Sequence, residues 1–159
     1  MKNRGILNAE LARAVASMGH TDIMMVVDAG FPIPNGAWRI DLAIQQDLPT
    51  HEQIIPLLAS ELIVEQTFVA EDVLEYNPVL NKLVQESFPA AEHSTAKHED
   101  LLGSIAARAK VIVRTGAFNP WGNVALVSGI DAPIWFDRPG VTTPDSYKAR
   151  IEAIKKEGN

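Results

Sequence analysis

The chain reads as a single α/β domain, a three-layer sandwich with helices on a largely parallel central sheet. Three observations predict it. Ile23-Met-Met-Val-Val27 is a run of five apolar residues bounded by polar residues and glycine, the pattern of a strand covered on both faces. The segments Lys110 to Thr115 and Asn123 to Ser128 carry similar runs. Between them lie stretches with apolar residues at helical spacing, and strands alternating with helices imply a largely parallel sheet.

The first element is a helix. Asn8 is placed to cap it, Leu11, Ala14, Val15 and Met18 share a helical face, and Gly19 stops it. The Ile23–Val27 strand follows. Arg39 to Ile44 then alternates polar and apolar residues, as a half-exposed strand does. Thr50-His-Glu-Gln53 has the form of a capping box for a helix through Ser60, which Pro56 should bend or delay. Leu62 to Val69 is another strand, and Glu71 to Tyr76 a short helix. Asn77-Pro78 restarts the chain as cap and first residue of a helix through Glu86. Phe88 to Thr95 is polar and reads as a loop, Lys97 to Ala109 as a helix. Beyond Gly129, Pro133-Ile-Trp-Phe136 reads as an edge strand, and Thr143-Pro-Asp-Ser146 opens an amphipathic helix carrying Tyr147, Ile151 and Ile154.

The length of 159 residues suits one domain, and a formal net charge of −6 argues against nucleic acid or an anionic membrane surface as partner. No run approaches a membrane span and no signal-peptide core is seen, so a cytoplasmic protein is the expectation. Without cysteine, chemistry falls to carboxylates, four histidines, hydroxyls and amides. Walker A, GxGxxG and GxSxG motifs are absent, as are HxH, HxxxH and HExxH spacings for a metal.

Asp28 stands at the carboxyl end of the first strand, where ligands sit in open α/β sheets, and the stiff Gly30 to Gly36 loop can wall a pocket. The same Asp-Ala-Gly equally suits an Asx-type turn. His20 precedes that strand. It suits proton transfer, and it also suits capping the first helix. A five-residue strand spans about 17 Å, so a site using both residues needs either a fold-back of His20 or a second subunit. His98 shares a helix face with Leu101, Leu102 and Ile105, in the core or at a pocket border. Asn119-Pro-Trp-Gly122 fits a type I turn, and Trp121 with Asn123 would suit a sugar, which wants an apolar platform and an amide. Arg39 and Asp41 read as a solvated pair. His51 and His93 read as solvated residues without a role.

In the order Gly5-Ile-Leu-Asn8, Met18-Gly-His-Thr-Asp22, Asp28-Ala-Gly-Phe-Pro-Ile-Pro34, Arg39-Ile-Asp41, Ala70-Glu71, His98-Glu99 and Arg114-Thr-Gly116 through Asn123, the chain resembles the D-ribose pyranases and the related L-fucose mutarotases. The resemblance covers residues 5–129 and lies closer to the ribose branch. It implies a D-ribose pyranase-like fold and an isomerase that interconverts the ring forms of a free monosaccharide, with no cofactor and no metal. It also implies a homo-oligomer with sites between subunits. His20 would be the proton donor, Asp28 and His98 would bind sugar, and Trp121, Gly122 and Asn123 would form a sugar-contacting triplet. The family usually has tyrosine where Trp121 stands. Residues 1–130 form the expected domain, and 131–159 an extension whose helix packs on the same domain or on a neighbouring subunit. The alternatives are a noncatalytic monosaccharide-binding or transport-accessory protein, a mutarotase for another sugar such as L-fucose, and a purely structural oligomer.

Overall fold

The computed structural model describes residues 2–157; the last two residues of the expected extension lie outside the described residues. Six strands form one sheet in the order β2-β5-β1-β6-β3-β4: β1 (Ile23–Val27), β2 (Arg39–Asp41), β3 (Val64–Ala70), β4 (Glu92–Ala96), β5 (Val111–Arg114) and β6 (Val124–Ser128). The pairs β2/β5, β5/β1 and β3/β4 are parallel, and only β6 runs antiparallel, to β1 and β3. The largely parallel sheet is therefore as the sequence predicts. All five β1 residues are buried, so both faces of the sheet centre are covered. Burying one such side chain fully contributes about 1.5–3 kcal/mol relative to exposure, which is why uninterrupted apolar runs select the central positions.

Helices α1 (Ala9–Ser17), α2 (His51–Ala59), α3 (Asp72–Tyr76) and α4 (Pro78–Ser87) begin close to where the sequence places them. Asn8 Oδ1 accepts from Leu11 N at 2.9 Å, and Asn77 Oδ1 from Leu80 N at 3.3 Å. Thr50 N donates to Gln53 Oε1 at 2.9 Å, and α2 starts at His51 with Pro56 inside it rather than being delayed. The helix after β4 has three pieces: α5 (His98–Asp100), a π-helical turn (Leu101–Ile105) and α6 (Ala106–Arg108). The remaining helices are α7 (Ala132–Phe136) and α8 (Asp145–Glu157).

Two expectations are corrected. Of Phe88 to Thr95, read as loop, residues 92–95 belong with Ala96 to β4, a polar edge strand paired with β3. Its hydrogen bonds come from Gln66–Ala70, so it needs no apolar periodicity of its own. Residues 133–136, read as an edge strand, lie in α7. Asp131 caps this helix, its Oδ1 accepting from Ile134 N at 3.4 Å and its carbonyl from Trp135 N at 2.9 Å. Pro133 suits a first helical turn, whose N–H groups have no intrahelical partner. No helix among the described residues is long and apolar enough to cross a membrane.

Candidate active site

Asp28 leaves the carboxyl end of β1, and Asn123 enters β6, the neighbouring antiparallel strand. The two ends therefore meet. Asn123 Oδ1 accepts from Asp28 N at 3.3 Å, a bond that ties the loops together and leaves Asn123 Nδ2 without a protein partner among the described residues. Asp28 Oδ1 accepts from Gly30 N at 2.8 Å, the Asx-type turn that the sequence allows. Its other oxygen has no protein hydrogen bond among the described residues. Arg114, at the end of β5, donates from Nε and Nη2 to Ala29 O at 3.0 and 2.8 Å and from Nη1 to both Asp41 oxygens at 3.1 Å. Asp41 forms the exposed pair with Arg39 that the sequence predicts, and through Arg114 it is also part of the brace behind the Asp28 loop. Burial raises its pKa, but the hydrogen bonds from Arg39, Ala43 N and Arg114 outweigh this and hold it below the usual carboxylate value.

These loops enclose a cavity of about 450 Å³ lined by Asp28, Phe31, His98, Asn119, Trp121 and Asn123, among others. That size falls within the range of small-molecule sites. His98 occupies the first helical position after β4, and its Nδ1 is buried without a hydrogen-bond partner among the described residues. A buried polar atom left open at a cavity is placed for a ligand. Among the described residues no group of three or more His, Cys, Asp or Glu is placed to hold a metal ion.

The Asn119–Gly122 turn closes with Gly122 N donating to Asn119 O at 2.9 Å. Its third residue, Trp121, has φ 51°, the sign of a type II turn rather than the type I the sequence predicts. Such a conformation is costly for a bulky residue and is held by its surroundings. Asn77 Nδ2 donates to Asn119 Oδ1 at 2.5 Å and Pro120 O at 2.8 Å, while the Trp121 ring stacks on Tyr76 at 5.3 Å between centroids. Asn77 therefore caps α4 and clamps the turn at once. Gly122 cannot be larger: a Cβ there would lie 2.7 Å from Asn119 O and 2.9 Å from His51 Cε1.

His51 corrects a further expectation. It is fully buried at the start of α2, under this turn, with Nδ1 3.4 Å from Asn119 Nδ2. Its Nε2 makes no well-formed hydrogen bond among the described residues. Burial holds its pKa below the ordinary 6.5, and the Gly122 backbone and the Asp28 and Glu52 charges offset this only in part. The unfolded chain then binds a proton that the native state refuses. Stability is present above about pH 6.5 and is lost as the pH falls from there through the folded pKa. His93, paired through Nδ1 with Thr67 Oγ1 at 2.8 Å, shifts in the same direction through burial. Asp22 and Asp41, both lowered from 3.8, act only at still lower pH. Urea midpoints should thus fall between about pH 7.5 and about pH 5.5, and fall less in His51→Gln than in the wild type. An equal fall in both would exclude His51 as the titrating group.

His20 lies elsewhere. It is the second residue of a turn at the opposite end of β1, closed by Asp22 N to Gly19 O at 3.1 Å and tied to β6 by Thr21 N to Ser128 O at 2.8 Å. Rather than capping α1, it places Nε2 2.8 Å from Glu65 Oε1 and 3.1 Å from the Tyr147 hydroxyl. Asp28, His98, Trp121, Gly122 and Asn123 therefore gather at one end of the sheet within this chain, and His20 does not join them. The sequence reading missed His51, Asn77 and Tyr76; the one local signal was the cap position of Asn77.

A profile of the RbsD / FucU transport protein family matches residues 1–131. The chain is 50% identical over 151 residues to D-ribose pyranase 1 of Streptomyces griseus, covering 95% of this chain and 100% of that protein. It is 47% identical over 150 residues to D-ribose pyranase 2 of Rubrobacter xylanophilus, covering 94% and 97%. The structure of Bacillus subtilis RbsD complexed with D-ribose matches with a TM-score of 0.77 at 35% identity, covering 82% of this chain and 98% of that one. A family match that takes in both β1 ends and the Trp121 turn, with relatives aligned over nearly their whole length, establishes that the chain belongs to the RbsD / FucU transport protein family.

Proposed function

We propose that this protein is a D-ribose pyranase, an intramolecular isomerase that interconverts the pyranose and furanose forms of free D-ribose. The observation that carries this reading is the cavity at the carboxyl end of β1, where Asp28, His98 Nδ1 and Asn123 Nδ2 keep open polar atoms beside the Trp121 ring. That set suits a polyol with one apolar ring face. D-ribose pyranases at 47% and 50% identity over almost the full chain support the same substrate.

Ring opening breaks the bond between the anomeric carbon and the ring oxygen. The ring oxygen gains a proton, the anomeric hydroxyl loses one to water, and another hydroxyl then closes on the aldehyde. In this reading His20 supplies the ring-oxygen proton and recovers it on reclosure. Asp28, His98 and Asn123 hold hydroxyls, Gly122 lets the turn approach the sugar, and Trp121 faces the ring. Because His20 and Asp28 end opposite sides of β1, the His20 of one copy serves the cavity of another in a homo-oligomer.

NMR saturation transfer between the ring forms of D-ribose tests the reading. Faster exchange with protein present, not shared by L-fucose, is the expected result. Exchange at the buffer rate for D-ribose would contradict it and leave a sugar-binding protein.

A further inference from the structure

Helix α8 lies outside residues 1–131, which the family profile matches, yet it reaches His20, the proposed proton donor at the end of β1 away from the sugar cavity. Tyr147 on α8 places its hydroxyl 3.1 Å from His20 Nε2, and Glu65 on β3 places Oε1 2.8 Å from the same nitrogen. The helix is anchored there. Arg150 donates to Val64 O at 3.1 Å and Ala90 O at 3.3 Å, on either side of the gap between β3 and the loop before β4. Phe136 of α7 packs on the Tyr147 ring at 5.1 Å between centroids. Gly129 permits this approach, since a Cβ there would lie 2.9 Å from Glu65 Cβ and 3.1 Å from Arg150 Nη2.

One ring nitrogen thus faces two oxygens of its own chain. A carboxylate only accepts, so Nε2 carries the hydrogen. Nδ1, which has no hydrogen bond among the described residues, then holds the reactive position. Building on the isomerase reading, we infer that Glu65 and Tyr147 are positioning residues for His20. They fix the neutral ring as the Nε2–H tautomer, so that Nδ1 is the nitrogen that gives its proton to the ring oxygen and takes it back. The C-terminal helix is then part of the machinery rather than an appendage. Through the cycle Nε2 keeps its hydrogen on Glu65. Only Nδ1 changes, from protonated in the imidazolium to free once the bond to the ring oxygen has broken. Burial first, and the Glu65 charge after it, raise the pKa of the Tyr147 phenol, with Arg150 opposing, so the group stays a neutral hydroxyl beside the carboxylate. The other charged groups of the His20 turn are Asp22 and Lys110, paired at 2.5 Å.

The test uses the full-length protein. Long-range ¹H–¹⁵N spectra of the sugar-free protein, at a pH where the His20 ring is neutral, should show Nε2 protonated and Nδ1 bare. Glu65→Gln should mix the two tautomers and lower the ribose exchange rate at saturating sugar by about 10- to 100-fold, with KM unchanged. Tyr147→Phe keeps the packing on Phe136 and should cost about 2- to 10-fold in the same rate. An active wild type with the Nδ1–H tautomer, or Glu65→Gln with wild-type rate and tautomer, would overturn this inference alone. A wild type that accelerates no ribose exchange would overturn the isomerase reading and the catalytic role of the pair with it.

Discussion

An alanine in place of His20 is expected to slow protein-dependent exchange between the ring forms of D-ribose by about 10²- to 10⁴-fold, while ribose binding stays measurable by calorimetry. The two effects separate because of where the side chain sits. The His20 turn is held by backbone groups and by Gly19 N donating to Asp22 Oδ2 at 2.7 Å, none of which needs the imidazole. The side chain is 40% exposed and touches Glu65 and Tyr147, so its removal leaves the sheet and the distant sugar cavity intact. Exchange at the wild-type rate would remove His20 from the chemistry.

Asp28→Asn should weaken ribose binding without loosening the loop. Asparagine keeps an oxygen to accept from Gly30 N, so the Asx-type turn survives, and the bond from Asp28 N to Asn123 Oδ1 involves only the backbone of residue 28. What disappears is the charge on the oxygen that faces the cavity. A hydrogen bond to a charged acceptor contributes about 1.5–3 kcal/mol, so the dissociation constant should rise about 10- to 150-fold, with an unchanged thermal midpoint. Unaltered affinity would assign Asp28 to the turn alone.

The parts of this protein that were legible in the sequence are those whose cause is local. The run Ile23–Val27 declares a buried strand because every position is covered, and Asn8 and Asn77 declare helix starts because a cap acts within three residues. Asp28, His98, Trp121, Gly122 and Asn123 are legible as one set only through the family resemblance, because the residues alone leave Asp28 open between a turn and a ligand and His98 between the core and a pocket; the residue count of β1 already separates His20 from them. What was not legible depends on partners far along the chain. Residues 92–96 are a strand only because Gln66–Ala70 lies beside them. His51 looks solvated next to Thr50, and becomes buried because the Asn119–Gly122 turn folds over it. Pro second and Gly fourth fit two turn types, and the clamp from Asn77 together with the Tyr76 ring selects the one that puts Trp121 at positive φ.

In the proposed homo-oligomer one copy's His20 completes the cavity built from another copy's Asp28, His98 and Asn123. Co-expression of His20→Ala and Asp28→Asn subunits tests it most directly, with ribose exchange measured by saturation transfer on the mixed assembly. At ribose concentrations below the dissociation constant of the Asp28→Asn protein, each variant alone is defective at every site. In a random mixture, about a quarter of the sites formed between subunits combine an intact His20 with an intact Asp28, so activity should return to about that fraction of the wild type. Mixed assemblies no more active than the two variants measured separately would show that each chain works with its own His20, contrary to this account.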